Sequence, residues 1–488
     1  MSPEMGLITL SARTSWTLGE DIPVLFIPAL LIIAALVVLA GFLLVIPFLF
    51  RVADSLSGGG KPAGEGKAAL PAPLTSKLLW GAIIVVLLVG SFAGGWYMKP
   101  QPAGRQVLNG EIPIGAILAL TGDLGTYGTR ERIAILFAQS DINAYLRAVG
   151  ANFTIKVLVE DTETKPDVCL TKLQSLAARG VKAVVGPLSS GEIRNIKGYC
   201  DTNHIVVVSQ SSTATDLSIG GDFVFRLVTD DNPQGRVLGK AFWEKGIKAA
   251  FLMYRGDTYG DGLARVFSQA FTSLGGTVID SVRYNYEATT FSAELNALNP
   301  KVQQAIQQYG ADHVAIELIS FEEAAQILLE AKDYPALLSV VWFGCDGGAM
   351  SSRIASQAGA QAAQVKLLST IFSSAHSAKW AELRDRMIAN MSEEPDEYSY
   401  IAYDCTWVLA LSILSANAYD GAAIAVALPY VANNYFGASG WTQLNAAGDR
   451  AGGDYAIYAV VQTSAGYDWV RAGTYFFASD SISWNPGF

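Results

Sequence analysis

Two hydroxyl-rich segments are the clearest candidates for chemistry in this chain. Each is a β-branched run that ends in a turn, and the hydroxyl residues of the two turns include Ser189, Ser190, Ser211 and Thr213. Such turns would converge outside the carboxyl edge of a parallel sheet, where open α/β sheets bind their ligands. The positive end of a following helix favours an anion there. The two segments therefore predict a site for an anionic group such as a carboxylate.

Other kinds of chemistry lack the residues they need. The three histidines, His204, His313 and His376, are not in a zinc-protease motif or beside an obvious nucleophile. We find no Walker A sequence and no dinucleotide fingerprint, and the four cysteines form no C-x-x-C pair. We therefore predict a binding protein rather than an enzyme, with no metal and no cofactor.

The first 98 residues have the composition of a membrane anchor. The apolar residues 22–50 and 77–98 are each predicted to form a transmembrane helix, which needs about 20 residues. The loop between them, residues 51–76, is basic and rich in glycine and proline, so the positive-inside rule places it in the cytoplasm. Residues 1–21 and everything from the linker at 99–110 onward would then face outward. The second run also fits a cleaved signal peptide, and that alternative stays open.

Charge separates the anchor from the rest of the chain. The first 98 residues carry five cations and five anions, so the whole net charge of −10 lies on the outer part. An acidic outer part argues against binding to nucleic acid. The sequons at Asn152 and Asn390 are candidate glycosylation sites.

From residue 111 onward, short apolar strands alternate with amphipathic helices. This alternation predicts parallel sheets with right-handed crossovers. A second series of the same kind begins near Asp231, so we expect two Rossmann-like lobes with a ligand cleft between them. The predicted strands are 112–120, 153–159, 183–185 and 205–209 in the first series and 249–254, 276–280, 313–319 and 339–343 in the second.

Two cysteines fall on successive helices of the first series. Cys169 and Cys200 should lie side by side on one face of the sheet. An extracytoplasmic location permits a disulfide between them. Buried free cysteines are also common, so the sequence leaves the choice open.

The turn motifs and their order resemble the leucine/isoleucine/valine-binding protein family, the type I periplasmic solute-binding proteins of branched-chain amino-acid and amide ABC importers. The segments that carry the resemblance are Ile114-Gly115, Thr121-Gly122, Tyr127-Gly128, Val185–Ser190, Ser211–Ala214, Tyr259–Gly262 and Tyr403-Asp404. The resemblance covers nearly all of residues 111–488 and implies an α/β fold of two lobes that close like a Venus flytrap. Lobe 1 is expected at about 111–230 and 373–425, and lobe 2 at about 231–372 and 426–488.

The resemblance also implies roles for individual residues. Ser190 and Thr213 would hold the α-carboxylate of a ligand, with Ser189 beside them. Ser211 would offer its backbone carbonyl to the α-ammonium group, and Asp346 would supply the paired negative charge. Ser189 also fits a helix-capping box with a glutamate three residues on, which is a purely structural role.

Two aromatic residues complete the implied site. Tyr127 and Tyr259 would line the cleft from opposite lobes. Leucine-type relatives tend to place an aromatic residue directly after the strand 313–319, where this chain has Ser320, so the side chain of the ligand stays open. An amino acid, or an amide or urea-like compound, would fit.

The family relationship implies delivery of the ligand to an ABC permease and its ATPase. The double-span anchor departs from most relatives, which are secreted or lipid-anchored. Two other functions stay open: the sensing ectodomain of a signalling complex, and a surface-layer or filament subunit that reuses the fold.

Overall fold

The computed structural model describes residues 108–488 of the chain. The segments predicted at 1–21, 22–50, 51–76 and 77–98 lie outside the described residues. In the described part the chain forms two α/β lobes around two sheets.

Lobe 1 is built on a sheet of five parallel strands in the order β2-β1-β3-β4-β5. The strands are β1 (Gly110–Leu118), β2 (Phe153–Asp161), β3 (Ala183–Val185), β4 (Val206–Ser209) and β5 (Val224–Arg226). The connecting helices are α1 (Gly125–Ala148), α2 (Pro166–Ala178) and α3 (Ser190–Asn203). Strands β3 and β4 are completely buried, as expected for uninterrupted valine runs with helices on both faces. All strands predicted in this series are present, and β5 is an addition.

Lobe 2 is built on a sheet of eight strands in the order β13-β12-β11-β10-β9-β8-β6-β7. The strands are β6 (Ala249–Arg255), β7 (Thr277–Tyr284), β8 (Val314–Ile319), β9 (Val341–Gly344), β10 (Leu368–Phe372), β11 (Tyr455–Thr463), β12 (Gly466–Phe476) and β13 (Ser481–Trp484). The helices are α4 (Asp231–Glu244), α5 (Thr258–Ser273), α6 (Ser292–Tyr309), α7 (Ala324–Ala331), α8 (Pro335–Leu338) and α9 (Ser352–Gln364). The parallel part, β6 to β10, contains the four predicted strands, and an antiparallel meander extends it.

Three further helices return to lobe 1: α10 (Ala378–Met391), α11 (Glu397–Ala416) and α12 (Gly421–Asn433). α11 packs against α1 and α12. Lobe 1 continues beyond α12, because Asp449 bridges to Arg226 of β5. The lobe boundary expected at 425 stays a prediction; in the structure the chain reaches the sheet of lobe 2 between Asp449 and β11.

α11 is the one helix among residues 108–488 that is long and apolar enough to cross a membrane. Its most apolar window is 67% buried inside the domain. Because it packs against α1 and α12, its apolar composition is explained by its place in the core of lobe 1.

Cys169 and Cys200, the two cysteines that could have formed a disulfide, lie in one apolar cluster. Cys169 on α2 and Cys200 on α3 are both fully buried, and both are free thiols, so the structure does not form the bridge. Burial raises the pKa of both thiols, which keeps them protonated. The sequon residues Asn152 and Asn390 are both exposed.

Candidate functional site

The first hydroxyl turn lies where β3 runs into α3. Ser189 is the N-cap of α3 and forms a complete capping box: its hydroxyl accepts from the Glu192 N–H at 3.2 Å, and Glu192 Oε2 accepts from the Ser189 N–H at 3.0 Å. The Ser189 hydroxyl is therefore already engaged by the helix. Ser190, the first helical residue, has its hydroxyl 2.9 Å from that of Ser212 and accepts from the Ala214 N–H at 3.2 Å. This contact ties the two predicted turns together.

The second hydroxyl turn follows β4. The Ser209 hydroxyl donates to the Pro187 carbonyl at 2.7 Å and accepts from the Ser212 N–H at 3.1 Å. Ser211 donates its hydroxyl to the Leu188 carbonyl at 3.0 Å. Both turns thus have a fixed backbone at the carboxyl edge of the sheet. We call Ser189, Ser190, Ser211 and Thr213 the hydroxyl pole.

Two tyrosines line the cleft, one from each lobe, and each is followed by a glycine. A Cβ at Gly128 would lie 2.0 Å from the Ala119 carbonyl oxygen, and one at Gly260 would lie 2.0 Å from the Arg255 carbonyl oxygen. Only glycine therefore allows α1 and α5 to begin so close to the ends of β1 and β6. This approach brings Tyr127 and Tyr259 into the cleft.

The lobes are closed over a cavity of about 20 Å³. The predicted site residues that line it are Tyr127, Ser189, Ser190, Ser211, Tyr259 and Asp346. Hydrogen bonds between the lobes hold it shut: the Tyr127 hydroxyl of lobe 1 donates to the Ala349 carbonyl of lobe 2 at 2.6 Å. The cavity has room for little more than one water, so a ligand enters only when the lobes open.

Asp346 is the acidic residue at the centre of the cleft. It follows β9, is 3% exposed, and its carboxylate accepts from Tyr259 at 2.5 Å, from Gln234 at 2.9 Å and from the Tyr398 hydroxyl. Burial raises the pKa of the Asp346 carboxyl, and these three donors counteract part of that rise. Tyr398 belongs to α11 of lobe 1, so its hydrogen bond to Asp346 also joins the lobes.

A second carboxylate lies beside Asp346. Asp231, the first residue of α4, is completely buried, and neither of its oxygens has a hydrogen-bond partner among the described residues. Burial and the charge of Asp346 raise the pKa of Asp231 well above its usual range. The Thr213 hydroxyl, which lies near Asp231 without meeting hydrogen-bond geometry, and the Arg226 guanidinium counteract part of the rise.

The same corner holds further buried oxygens. Thr213 Oγ1 and Gln234 Oε1 are also without partners within residues 108–488. We call Asp231, Gln234 and Asp346 the carboxylate pole. A set of buried acceptors with too few donors is costly unless a cation or a proton joins it. The carboxylate pole therefore suits a positively charged group with several N–H donors.

Phe321 supplies the aromatic wall that the sequence left in doubt. It stacks on Tyr259 with the ring centroids 5.4 Å apart, is 4% exposed and lines the cavity. The aromatic residue is thus present two residues after β8, behind Ser320. Leu124 and Leu188 complete an apolar lining.

Three site residues were not found from the sequence. Asp231 could have been noticed, because it is part of an acidic pair where the first lobe ends. Gln234 and Tyr398 lie within helices and carry no local signal, and only the packing of α4 and α11 brings them to Asp346.

Comparison with known proteins places this geometry among ligand receptors. The family model described as receptor family ligand binding region matches residues 130–463. An uncharacterized protein of Methanocaldococcus jannaschii is 32% identical over 425 residues, which cover 83% of this chain and 99% of the relative. A leucine-, isoleucine-, valine-, threonine- and alanine-binding protein of Pseudomonas aeruginosa is 24% identical over 350 residues, covering 71% of this chain and 89% of the relative.

A solved structure of a binding protein has a similar fold. The branched-chain amino acid transporter substrate-binding protein of Streptococcus pneumoniae, in complex with isoleucine, superposes with a TM-score of 0.60 at 22% identity. The match covers 74% of this chain and 99% of that structure. At this identity the likeness concerns the fold.

Proposed function

Because the chain belongs to the receptor family ligand-binding regions, and among them to the type I periplasmic binding proteins of the branched-chain amino acid type, we propose that it captures an L-amino acid between its lobes. The carboxylate pole is the observation that carries the proposal. Beside the buried Asp346 carboxylate, both Asp231 oxygens and Gln234 Oε1 lack hydrogen-bond partners among the described residues, an arrangement that a cation with several N–H donors would satisfy. The hydroxyl pole, at the N-terminus of α3, offers the matching site for an anion.

Each end of an amino acid would have a defined set of contacts. Ser190 accepts from the Ala214 N–H and pairs with the Ser212 hydroxyl, and its proton would turn to the α-carboxylate when the ligand binds. The first N–H groups of α3 have no partner within the helix and point the same way. The α-ammonium would lie between Asp346 and Asp231 and would donate to the Ser211 backbone carbonyl as well.

The side chain of the ligand would pack against Phe321, Leu124 and Leu188. A charge-assisted hydrogen bond contributes about 1.5–3 kcal/mol. Two charged ends and an apolar wall together reach the micromolar range, at about −8 kcal/mol.

Calorimetry with the full chain, purified in detergent, tests the proposal. A panel of L-amino acids, their amides and urea is titrated, and the protein is denatured beforehand in a parallel sample for mass spectrometry of any ligand that co-purifies. We expect micromolar binding of at least one amino acid. No binding across the panel, together with no co-purified amino acid, would contradict the proposal.

The remaining parts of the function concern location and delivery. We propose that residues 22–50 and 77–98 anchor the protein in the membrane with the lobes outside the cell, and that the ligand passes to an ABC permease and its ATPase. Tethering raises the local concentration of loaded receptor near a permease. The full chain should stay in the membrane fraction after alkaline extraction and should co-purify with permease subunits. Co-purification with a kinase or transducer instead would favour the sensing function.

A further inference from the structure

Arg226 is a buried cation directly behind the second hydroxyl turn. It lies on β5 and is completely shielded from solvent. Its Nη1 donates to the Ser212 carbonyl at 3.1 Å and to the Ala214 carbonyl at 2.9 Å. These carbonyls belong to the residues immediately before and after Thr213, so one guanidinium nitrogen holds the backbone on both sides of this residue.

The other side of the guanidinium is held by Asp449. Nε and Nη2 donate to the two Asp449 oxygens at 2.5 Å and 2.7 Å, and the Asp449 side chain is only 2% exposed. Ser218 accepts from Nη2 at 2.8 Å and donates to Asp449 at 2.7 Å. This two-sided arrangement needs the planar fork of arginine, which lysine cannot reproduce.

Arg226 and Asp449 also lie near the segments where the chain crosses between the lobes. The Arg226 N–H donates to the Gly448 carbonyl at 3.0 Å, and the Arg450 N–H donates to the Arg226 carbonyl at 2.9 Å. The chain leaves lobe 1 after β5 and leaves it again after Asp449. Arg226 therefore connects the turn that carries Thr213 to both of these crossing segments.

We propose that Arg226, oriented by Asp449 and Ser218, is a positioning residue for the carboxylate end of the ligand. The inference rests on the proposed function and adds a specific role within it. Asp449 neutralises the guanidinium, so Arg226 acts through the geometry of the turn rather than through its charge. A lysine would keep the charge but would lose the simultaneous contacts to Ser212, Ala214 and Asp449.

The test compares an amino acid with its carboxamide. The full chain and the Arg226→Lys variant are titrated with the best-binding amino acid and with the amide of that amino acid. We expect Arg226→Lys to weaken binding of the amino acid by about tenfold or more, while binding of the amide changes by less than about threefold. A loss of stability alone would not change the ratio of the two affinities.

Two further variants keep the test decisive. Ser218→Ala removes one contact that orients Arg226. Like Arg226→Lys, it should reduce the ratio of the affinity for the amino acid to the affinity for its amide, here by about threefold. Arg450→Lys is the matched control: Arg450 is 4% exposed and donates to Ser439 and Leu227, without a contact to the turn. We expect it to lower the melting temperature and leave the ratio unchanged.

The outcomes separate this inference from the proposed function. The role of Arg226 would be overturned if the wild type prefers the amino acid to its amide and this preference is unchanged in Arg226→Lys and Ser218→Ala. The proposed function would then remain intact. If Arg226→Lys does not fold, the Ser218→Ala result decides. A wild type that binds no amino acid overturns both.

Discussion

The two ends of the cleft differ in how their polar groups are satisfied. At the hydroxyl pole, Ser189 is used by the capping box, and Ser190 and Ser211 have partners in neighbouring loops. At the carboxylate pole, Asp346 has three donors, but Asp231 beside it has none. At the hydroxyl pole only Thr213 Oγ1 lacks a partner among the described residues, whereas at the carboxylate pole both Asp231 oxygens and Gln234 Oε1 lack one.

This difference predicts where the binding free energy comes from. Except at Thr213, a ligand carboxylate exchanges hydrogen bonds with groups that already have partners, so the net gain is modest. A ligand ammonium supplies charge and donors to a buried site that lacks both, so its gain is larger. We therefore expect the ammonium end to dominate the affinity and the carboxylate end to refine selectivity.

The largest effect is expected from the carboxylate pole. Asp346→Ala should weaken amino-acid binding by about a hundredfold, because it removes the charged acceptor and leaves Tyr259 and Tyr398 without theirs. Calorimetry with the full chain measures the change. The control is Asp333→Ala, an exposed acid of lobe 2, which should leave the affinity unchanged. An affinity within threefold of wild type in Asp346→Ala would refute the dominance of this end.

Acidification should weaken binding of the amino acid by protonating Asp231 or Asp346. The pKa values of Asp231 and Asp346 are both raised, by burial first, so a proton occupies the pair as the pH falls and competes with the ammonium. Below the raised pKa the affinity should fall about tenfold per pH unit. Asp231→Asn should flatten this dependence, and an equally steep profile in that variant would show that another group titrates.

The raised pKa values of Asp231 and Asp346 should make the ligand-free protein more stable, not less, as the pH falls. A carboxyl whose pKa is higher in the folded state than in the unfolded state binds more protons when folded, so stability falls as the pH rises through that interval. Asp231→Asn should remove this loss and raise the free energy of unfolding at neutral pH by roughly 1–3 kcal/mol. Urea unfolding at several pH values measures it, and a variant less stable than wild type at neutral pH would contradict the assignment.

A smaller effect is expected at Ser190. Ser190→Ala removes the hydroxyl that accepts from Ala214 and faces the ligand carboxylate, and should weaken amino-acid binding by about fivefold to tenfold. The amide of the same amino acid should lose less. Equal losses for acid and amide would mean that Ser190 acts on the fold rather than on the carboxylate.

The smallest effect on binding is expected at Ser189. Ser189→Ala removes the capping box of α3 and should lower the free energy of unfolding by about 1 kcal/mol. The affinity should change by less than about threefold, because the hydroxyl is already engaged by Glu192. A large loss of affinity without a loss of stability would show that the Ser189 hydroxyl contacts the ligand.

The sequence predicted the parallel strands well because each is a short apolar run closed by a turn. Ala183–Val185 has the predicted bounds, and 205–209 differs by one residue from β4. It did not predict β5, which has three residues, or the antiparallel meander at the end of lobe 2. The place of the third crossover is hard to predict, because an αα-hairpin followed by an irregular segment has no marker of the lobe it packs against.

The site was predictable where its residues stand at strand ends. The rule about the carboxyl edge pointed to Ser190 and Ser211, whereas Tyr259 and Asp346 came from the family resemblance, and the ligand contacts of all four stay predictions. Tyr398 lies at the start of a helix that returns from the other lobe, and its place depends on how the lobes close. That contact is a property of tertiary packing, which local patterns do not contain.

The central claim is that the cleft recognises both ends of an amino acid, with the ammonium end dominant. The most direct test is to titrate the full chain with its best amino acid, with the amide of that amino acid and with the analogue that lacks the amino group. We predict that removing the amino group weakens binding by about a hundredfold, and that converting the carboxylate to an amide weakens it by about tenfold. Equal or tighter binding of the analogue without the amino group would contradict the account.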